Sequence, residues 1–276
     1  MTQADPPDEP FVSLRNVRKV YARGGADRVA VSDVTLDVNE GELVAMVGPS
    51  GCGKTTILKV LAGLHAADGG TVNIGNRRAP FDPARDIGMV FQQPLLLKWR
   101  TVLDNVLLPA EIIGLPMKPA RQRARDLVEL VGLSGCEDRY PHELSGGMQQ
   151  RAAIARALVH DPKLILMDEP FGALDALTRE QMNLEMLRVW HDSGKTIVLV
   201  THSIQEAVFL ASRCAVLTAG PARMAGYFPI ALPFPRALPV KTTEAFGAYA
   251  RRIYALLGLA AADQPVNAAT AVPSAP

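Results

Sequence analysis

The side chains best placed for chemistry are a neighbouring lysine and threonine, Lys54 and Thr55, two adjacent acids, Asp168 and Glu169, and one histidine, His202. Lys54 and Thr55 close the run GPSGCGKT at 48–55, which satisfies the pattern G-x-x-x-x-G-K-[ST]. The chemistry of that pattern is phosphate binding. Successive backbone N–H groups in a tight turn form a concave donor nest, and a helix behind it aims its positive end at the same point. Gly48, Gly51 and Gly53 let the backbone approach phosphate oxygens that a Cβ would push away. Lys54 is expected to reach the β- and γ-phosphates and the Thr55 hydroxyl to hold Mg²⁺. Pro49, Ser50 and Cys52 complete the loop and Thr56 follows it, so they too are expected at the nucleotide, with Cys52 a tolerated small residue rather than a nucleophile. Asp168 and Glu169 follow an apolar run: the first could hold Mg²⁺ or its water, the second could polarise an attacking water. His202 ends another apolar run; a lone histidine is more often structural than catalytic, but a strand end on the ligand-binding edge raises the case for a functional role.

These groups meet only if the surrounding segments take particular forms. Residues 43–47 must be a strand and 56–64 a helix for the glycine turn to bind an anion. The four apolar residues of KLILMDEP (163–170) predict a strand buried on both faces of a parallel sheet, as do residues 196–201. Residues 11–21 and 29–38 alternate as strands around a Gly24–Gly25 turn, with 69–74 and 86–91 further short strands separated by a turn-rich 75–83. Tyr21 ends the first strand, where an aromatic could stack on adenine or simply pack. From 101 to about 133 the pattern is helical, with a basic face at Arg121, Arg123 and Arg125 that reads as solvated. A second glycine turn, LSGGMQQR (144–151), precedes helix-forming residues 148–160, so Ser145, Gly146 and Gly147 offer a second anion site at a helix start. An ordinary serine cap would look the same.

Composition sets the limits. The chain has 276 residues, 48% of them hydrophobic, enough for one or two domains with a substantial core. A net charge of +1 gives no electrostatic case for a nucleic-acid partner. Cys52, Cys136 and Cys214 are too few and too widely spaced for a disulfide framework or a zinc site, and suit a reducing cytosol. The first ten residues are acidic and proline-rich, unlike a signal peptide, and are expected to be disordered. No apolar stretch approaches the ~18 residues of a spanning helix. A soluble, cytoplasmic protein is expected, with any membrane role exerted through a partner.

GPSGCGKT, LSGGMQQR, LILMDEP, GALD (172–175) and VTHS (200–203), in this order, resemble the nucleotide-binding subunit of an ABC transporter over residues 11 to about 227. The resemblance implies an α/β fold: a P-loop NTPase core with an antiparallel β-subdomain and a helical subdomain at about 95–160. It also implies that two cassettes pack head to tail as a homodimer. The signature residues Ser145, Gly146, Gly147 and Gln149 of one would then close over the ATP on the other's P-loop. Residue by residue, Tyr21 matches the adenine-stacking aromatic and Gln92 the glutamine that contacts Mg²⁺ and senses the γ-phosphate. Asp168 matches the metal-associated acid, Glu169 the general base, and His202 the switch histidine. Asp175 matches the loop that communicates across the dimer. With Lys54 these make an ATPase site.

Two longer runs, 90–106 and 200–224, resemble the importer branch for nitrate, taurine and aliphatic sulfonates, with Lys98 in place of a usual proline and Ser203 of a usual aspartate. The implied partners are integral-membrane permease subunits and, indirectly, a solute-binding protein, with the chain peripheral at the cytoplasmic face of the inner membrane. An exporter cassette, or an importer for another small organic solute, is the alternative. A small-molecule kinase has no use for LSGGMQQR, a DNA-repair ATPase would carry a long heptad-bearing insert, and a ribosome-acting member would hold two cassettes and a basic linker. A non-enzymatic scaffold would not need Lys54, Glu169 and His202. The segment QQPLLLKW (92–99) is too apolar for a solvated loop, so it is either core or an interface; the resemblance favours the groove that receives a cytoplasmic helix of the permease. The cassette is expected over 11–228 and an extension over 229–259. That extension has a proline-rich connection at 229–239 and a helix over 242–259, with Phe246, Tyr249, Ile253, Leu256 and Leu257 as its apolar side. The Ala/Pro-rich 260–276 is expected to be a disordered tail, leaving no room for the full regulatory domain of sugar-importer ATPases.

Overall fold

A computed structural model describes residues 9–23, 26–75, 81–172 and 174–259. The first eight residues, the Gly24–Gly25 turn, residues 76–80 of the turn-rich connection, Ala173 and the 260–276 tail lie outside the described residues.

β1 (Val12–Arg23) and β2 (Ala26–Val38) pair antiparallel, and β3 (Leu43–Val47) leads through the glycine loop into α1 (Lys54–Leu61). β4 (Gly69–Ile74) returns antiparallel onto β1, and the single turn α2 (Pro83–Asp86) introduces β5 (Ile87–Val90). Three helices follow: α3 (Val102–Ile112), α4 (Met117–Leu130) and α5 (Gly146–Leu158). The chain then alternates β6 (Leu164–Asp168), α6 (Ala176–Ser193), β7 (Thr196–Thr201), α7 (Ile204–Leu210) and β8 (Arg213–Leu217) before β9 (Ala222–Pro229) and α8 (Glu244–Leu256). The strands form one sheet in the order β4-β1-β2-β9-β8-β3-β7-β6-β5. Neighbours from β8 to β5 run parallel, β9 turns back antiparallel on β8, and β2 meets β9 through a short parallel contact.

The period of two in the central strands divides two cores. Leu43, Ala45 and Val47 of β3, Ile165 and Met167 of β6, and Ile197 and Leu199 of β7 face a core built with α3 to α8. Their alternates Val44, Met46, Leu164, Leu166, Val198 and Val200 face a second core with α1 and the inner sides of β1 and β2. Both faces are covered, so these strands read as continuous apolar runs. β2 has one solvated face and alternates accordingly, with Val31, Val34, Leu36 and Val38 buried and Asp33 and Thr35 exposed.

The helix starts are set by side-chain caps. Thr101, Ser145, Asp175, Ser203 and Thr243 each accept a backbone N–H of the turn they begin. Ser203 thus fills the N-cap that aspartate would fill equally well. The C-terminal helix buries Phe246, Ala250 and Ile253, with Tyr249, Leu256 and Leu257 partly buried beside them. Arg236, buried, fastens the extension to the cassette: Nη1 donates to the carbonyls of Val208, Phe209 and Ala211, and Nη2 to those of Ile230 and Leu232. The guanidinium serves carbonyls that the end of α7 leaves free. Burial lowers its pKa to about 10. No helix among the described residues is long and apolar enough to cross a membrane.

Candidate functional site

A cleft of about 1060 Å³ opens at the carboxyl ends of the parallel strands. Tyr21, Ser50, Gly51, Gly53, Lys54, Thr55, Thr56, Gln92, Asp168 and Glu169 line it. The glycine loop forms its floor. Gly53 has φ +118°, and a Cβ there would meet the Ala30 carbonyl at 2.6 Å, so β2 and the loop approach only because this residue is glycine. Gly48 is equally confined, with the Leu217 carbonyl 2.9 Å from where a Cβ would stand. The Cys52 side chain points away from the cleft into the core, 1% exposed, so what this residue can offer a phosphate is its backbone N–H. Pro49 and Ser50 are exposed at the loop's crest. Where α3, α5, α6, α7 and α8 are capped by a side chain, α1 has no side-chain cap, and its first turn holds no acid. Its free N–H groups and positive end face the cleft, ready for an anion.

The charged groups converge over this floor. Lys54 Nζ, almost fully buried, donates to the carbonyls of Gly48 (2.8 Å) and Pro49 (2.9 Å) and lies 3.8 Å from Glu169 Oε1. Thr55 Oγ1 donates to Asp168 Oδ1 at 3.0 Å. Burial, with the adjacent Glu169 charge, raises the Asp168 pKa above the ordinary carboxylate range even against the Thr55 bond. His202 Nδ1 lies 2.9 Å from Glu169 Oε2. Glu169 itself has φ +46°, a left-handed conformation that a non-glycine residue holds only where the surroundings demand it. Gln92 Nε2 stands 3.4 Å from the Gly172 Cβ position, which sets the loop after Glu169 against Gln92.

Thr55, Asp168 and Gln92 offer hard oxygen donors. No group of three His, Cys, Asp or Glu gathers into a metal cluster among the described residues. That donor set suits Mg²⁺, which keeps its waters and takes one or two protein oxygens plus substrate phosphates.

The second glycine turn is elsewhere. Ser145, Gly146, Gly147, Gln149 and Asp175 are not among the residues lining the cleft. Ser145 is exposed and caps α5, its Oγ accepting the Met148 N–H at 3.3 Å while its own proton stays free to donate. Gln149 is turned inward, Nε2 donating to the carbonyls of Pro141 and Leu144, so it braces the turn instead of presenting its amide outward. Asp175 is exposed and caps α6 through Thr178, whose hydroxyl and N–H bonds lower its pKa.

Several cleft residues had no motif to announce them. Arg28 and Gly220–Pro221 line the same cleft as Tyr21. The signal for Arg28 was register: it pairs directly across from Tyr21, which puts both side chains on one face of the ribbon.

The segment after Gln92 divides. Leu96 packs against the larger core, whereas Leu95 (55%) and Trp99 (74%) stay exposed, so the core alternative does not hold for Trp99. Leu95, Ile87, Met89, Phe91, Ile112 and Ile113 line a groove of about 380 Å³. α5 grips its wall, Gln150 Nε2 donating to the Phe91 carbonyl and Arg156 to those of Pro94 and Leu95.

A buried parallel strand, a glycine loop opening an uncapped helix and a carboxylate pair at the sheet's ligand edge define a P-loop nucleoside triphosphatase. The family model for the ABC transporter matches residues 31–172. The chain is 43% identical over 225 residues to the aliphatic sulfonates import ATP-binding protein SsuB of Bacillus licheniformis, covering 82% of this chain and 87% of that one. It is 42% identical over 217 residues to the taurine import ATP-binding protein TauB of Escherichia coli K12, covering 79% and 84%. An ABC transporter cassette solved in dimeric form superposes with a TM-score of 0.69 at 35% identity, covering 80% of this chain and all of that one. The same cassette solved in a post-hydrolysis state with ADP and Pi superposes equally well. The chain belongs to the ABC transporter family and is an ATP-binding ATPase cassette of it.

Proposed function

We propose that this chain hydrolyses ATP, as a head-to-tail homodimer, to energise import of a small solute of the nitrate, aliphatic sulfonate or taurine type. Permease subunits on other chains hold it at the cytoplasmic face of the membrane. The convergence of Lys54, Thr55, Asp168, Glu169 and His202 on one cleft carries the reading of ATP hydrolysis. Adenine stacks on Tyr21, the phosphates lie in the glycine loop, and Lys54 bonds the β- and γ-phosphates. Thr55 and Asp168, with Gln92, would hold Mg²⁺, which would supply charge neutralisation at the phosphate oxygens. Glu169 takes the proton of the attacking water. His202 fixes the Glu169 carboxylate in orientation and contacts the γ-phosphate. Chemistry of this kind rests on positioning and electrostatic stabilisation, and the constrained backbone at Glu169 serves the first.

The distance of Ser145, Gly146 and Gly147 from the cleft supports a site completed by the partner's signature turn, with Asp175 at the junction. Among the rival readings, import is favoured by the relatives named for taurine and sulfonate import, at 42–47% identity over most of their length. The apolar groove supports the permease contact. Because α5 holds both the Phe91 carbonyl beside Gln92 and the groove wall, a shift at the γ-phosphate carries the groove with it.

Trp99→Ala tests the coupling. Since Trp99 is 74% exposed, the isolated chain should keep its melting temperature and basal ATPase, far from the ~3–5 kcal/mol loss of a buried tryptophan. Copurification with the permease and solute-stimulated hydrolysis should be lost. A variant that unfolds alone, or that couples as well as wild type, contradicts the docking role.

A further inference from the structure

We propose that Glu206 is a positioning residue that locks the turn carrying His202 to the Leu174–Asp175 segment that opens α6, so that γ-phosphate contact and dimer closure become one event. The proposal rests on the roles given above to His202 and Asp175 and deepens them.

Glu206 lies in the first turn of α7, only 3% exposed, outside the nucleotide cleft. A carboxylate that deep persists only when its oxygens are partnered. Oε2 accepts the Thr201 hydroxyl at 2.6 Å, in a fully buried bond. Thr201 Oγ1 in turn accepts the Ser203 N–H at 2.9 Å, and Ser203 Oγ accepts the Glu206 N–H at 3.3 Å. Thr201 is thereby tied to the Glu206 carboxylate, and Ser203 to Thr201 and to the Glu206 backbone, so both neighbours of His202 are held by one residue. The turn has no freedom to re-aim the imidazole without breaking a buried bond.

The other oxygen faces a different element. Glu206 Oε1 lies 3.6 Å from Arg179 Nε on α6. Arg179 Nε is buried and has no hydrogen bond, so the carboxylate is its electrostatic compensation. The Arg179 side chain reaches the segment before α6: Nη2 donates to the Leu174 carbonyl, next to Asp175, at 2.9 Å, while its backbone N–H makes the ordinary first helical bond of α6 to the Asp175 carbonyl. The path from the His202 turn to Leu174, the residue before Asp175, therefore runs through two side chains. Lys241 of the C-terminal extension adds positive charge on the same side, its Nζ 4.5 Å from the Phe209 ring centre and paired with Glu180. Burial raises the Glu206 pKa, opposed by Thr201, Arg179, His202 and Lys241 in that order.

A buried ion pair of this kind adds little net stability over an apolar replacement, so its use is geometric. Two elements joined by it move together or not at all. When the partner presses on the Leu174–Asp175 segment, the displacement reaches His202 through Arg179 and Glu206.

Glu206→Gln keeps the size and the acceptor for Thr201 but removes the charge that faces Arg179. The folded variant should bind a fluorescent ATP analogue within about twofold of wild type while kcat falls about tenfold, since misplacing a reacting group costs turnover more than affinity. Arg179→Gln cuts the same link from its partly exposed side, so it carries the test if Glu206→Gln does not fold. It should lose kcat to the same extent, and the double variant should be no worse than the weaker single. A well-folded single variant with wild-type kcat, or losses that multiply in the double variant, would overturn the proposal. His202→Ala, made in parallel, separates the two levels. If it turns over like wild type, the roles assigned at the γ-phosphate fail, and this proposal falls with them. If it is inactive while both link variants are normal, only the link is wrong.

Discussion

Glu169→Gln should leave ATP affinity nearly intact and reduce turnover by ~10² or more. The amide is nearly isosteric and can hold the same left-handed backbone, so the glycine loop, Lys54 and Thr55 keep their places. What disappears is the capacity to take a proton from water. The contact at 2.9 Å to His202 Nδ1 survives in weakened form, because an amide oxygen is a poorer acceptor than a carboxylate. ATP bound but not hydrolysed should then accumulate between two cassettes, and size-exclusion chromatography should show a dimer in ATP that is absent in ADP. A variant that hydrolyses ATP at the wild-type rate would remove Glu169 from the role of base.

Mixing two inactive variants should restore activity that neither has alone. Ser145→Arg places a bulky cation at the exposed cap of α5 and should block closure over a partner's nucleotide. It should spare ATP binding, which depends on the same chain's glycine loop. Lys54→Ala spoils that loop and spares the signature turn. In a mixed head-to-tail dimer one site receives both sound halves and the other both damaged ones. ATPase should therefore appear in the mixture and be near zero in either parent. If the mixture is as inactive as its parents, either both sites must work together or the two turns do not form one site.

The glycine loop, the buried strands β3, β6 and β7 and the acid pair were legible in the sequence because their signals are local. A run of apolar residues and a fixed motif need no knowledge of distant contacts. The apolar stripe of α8 was legible for the same reason, its Phe246 and Ile253 recurring at helical spacing. What escaped depends on sequence-distant partners. Arg236 lies in a stretch whose sequence shows only a proline-rich connection, yet it is buried against carbonyls at the end of α7 and just past it, 25 to 28 residues upstream. Arg28 joins the cleft only through its register with Tyr21. The segment at 95–99 could not be assigned in advance, since neighbouring leucines of identical character take opposite fates: Leu96 packs inward and Leu95 faces out. Gln149 sits in a motif that the resemblance assigns to a partner's nucleotide, but in a helix the side chain one turn beyond a cap can reach back to the preceding carbonyls, and it does so here.

Phosphate release by the purified chain, measured in Mg·ATP across a range of protein concentrations, bears most directly on the central claim that two cassettes complete each ATPase site. Turnover per chain should rise with concentration and level off as the dimer forms, and Glu169→Gln should abolish it at every concentration. Turnover per chain that stays constant down to dilutions at which light scattering finds only monomers would contradict the account.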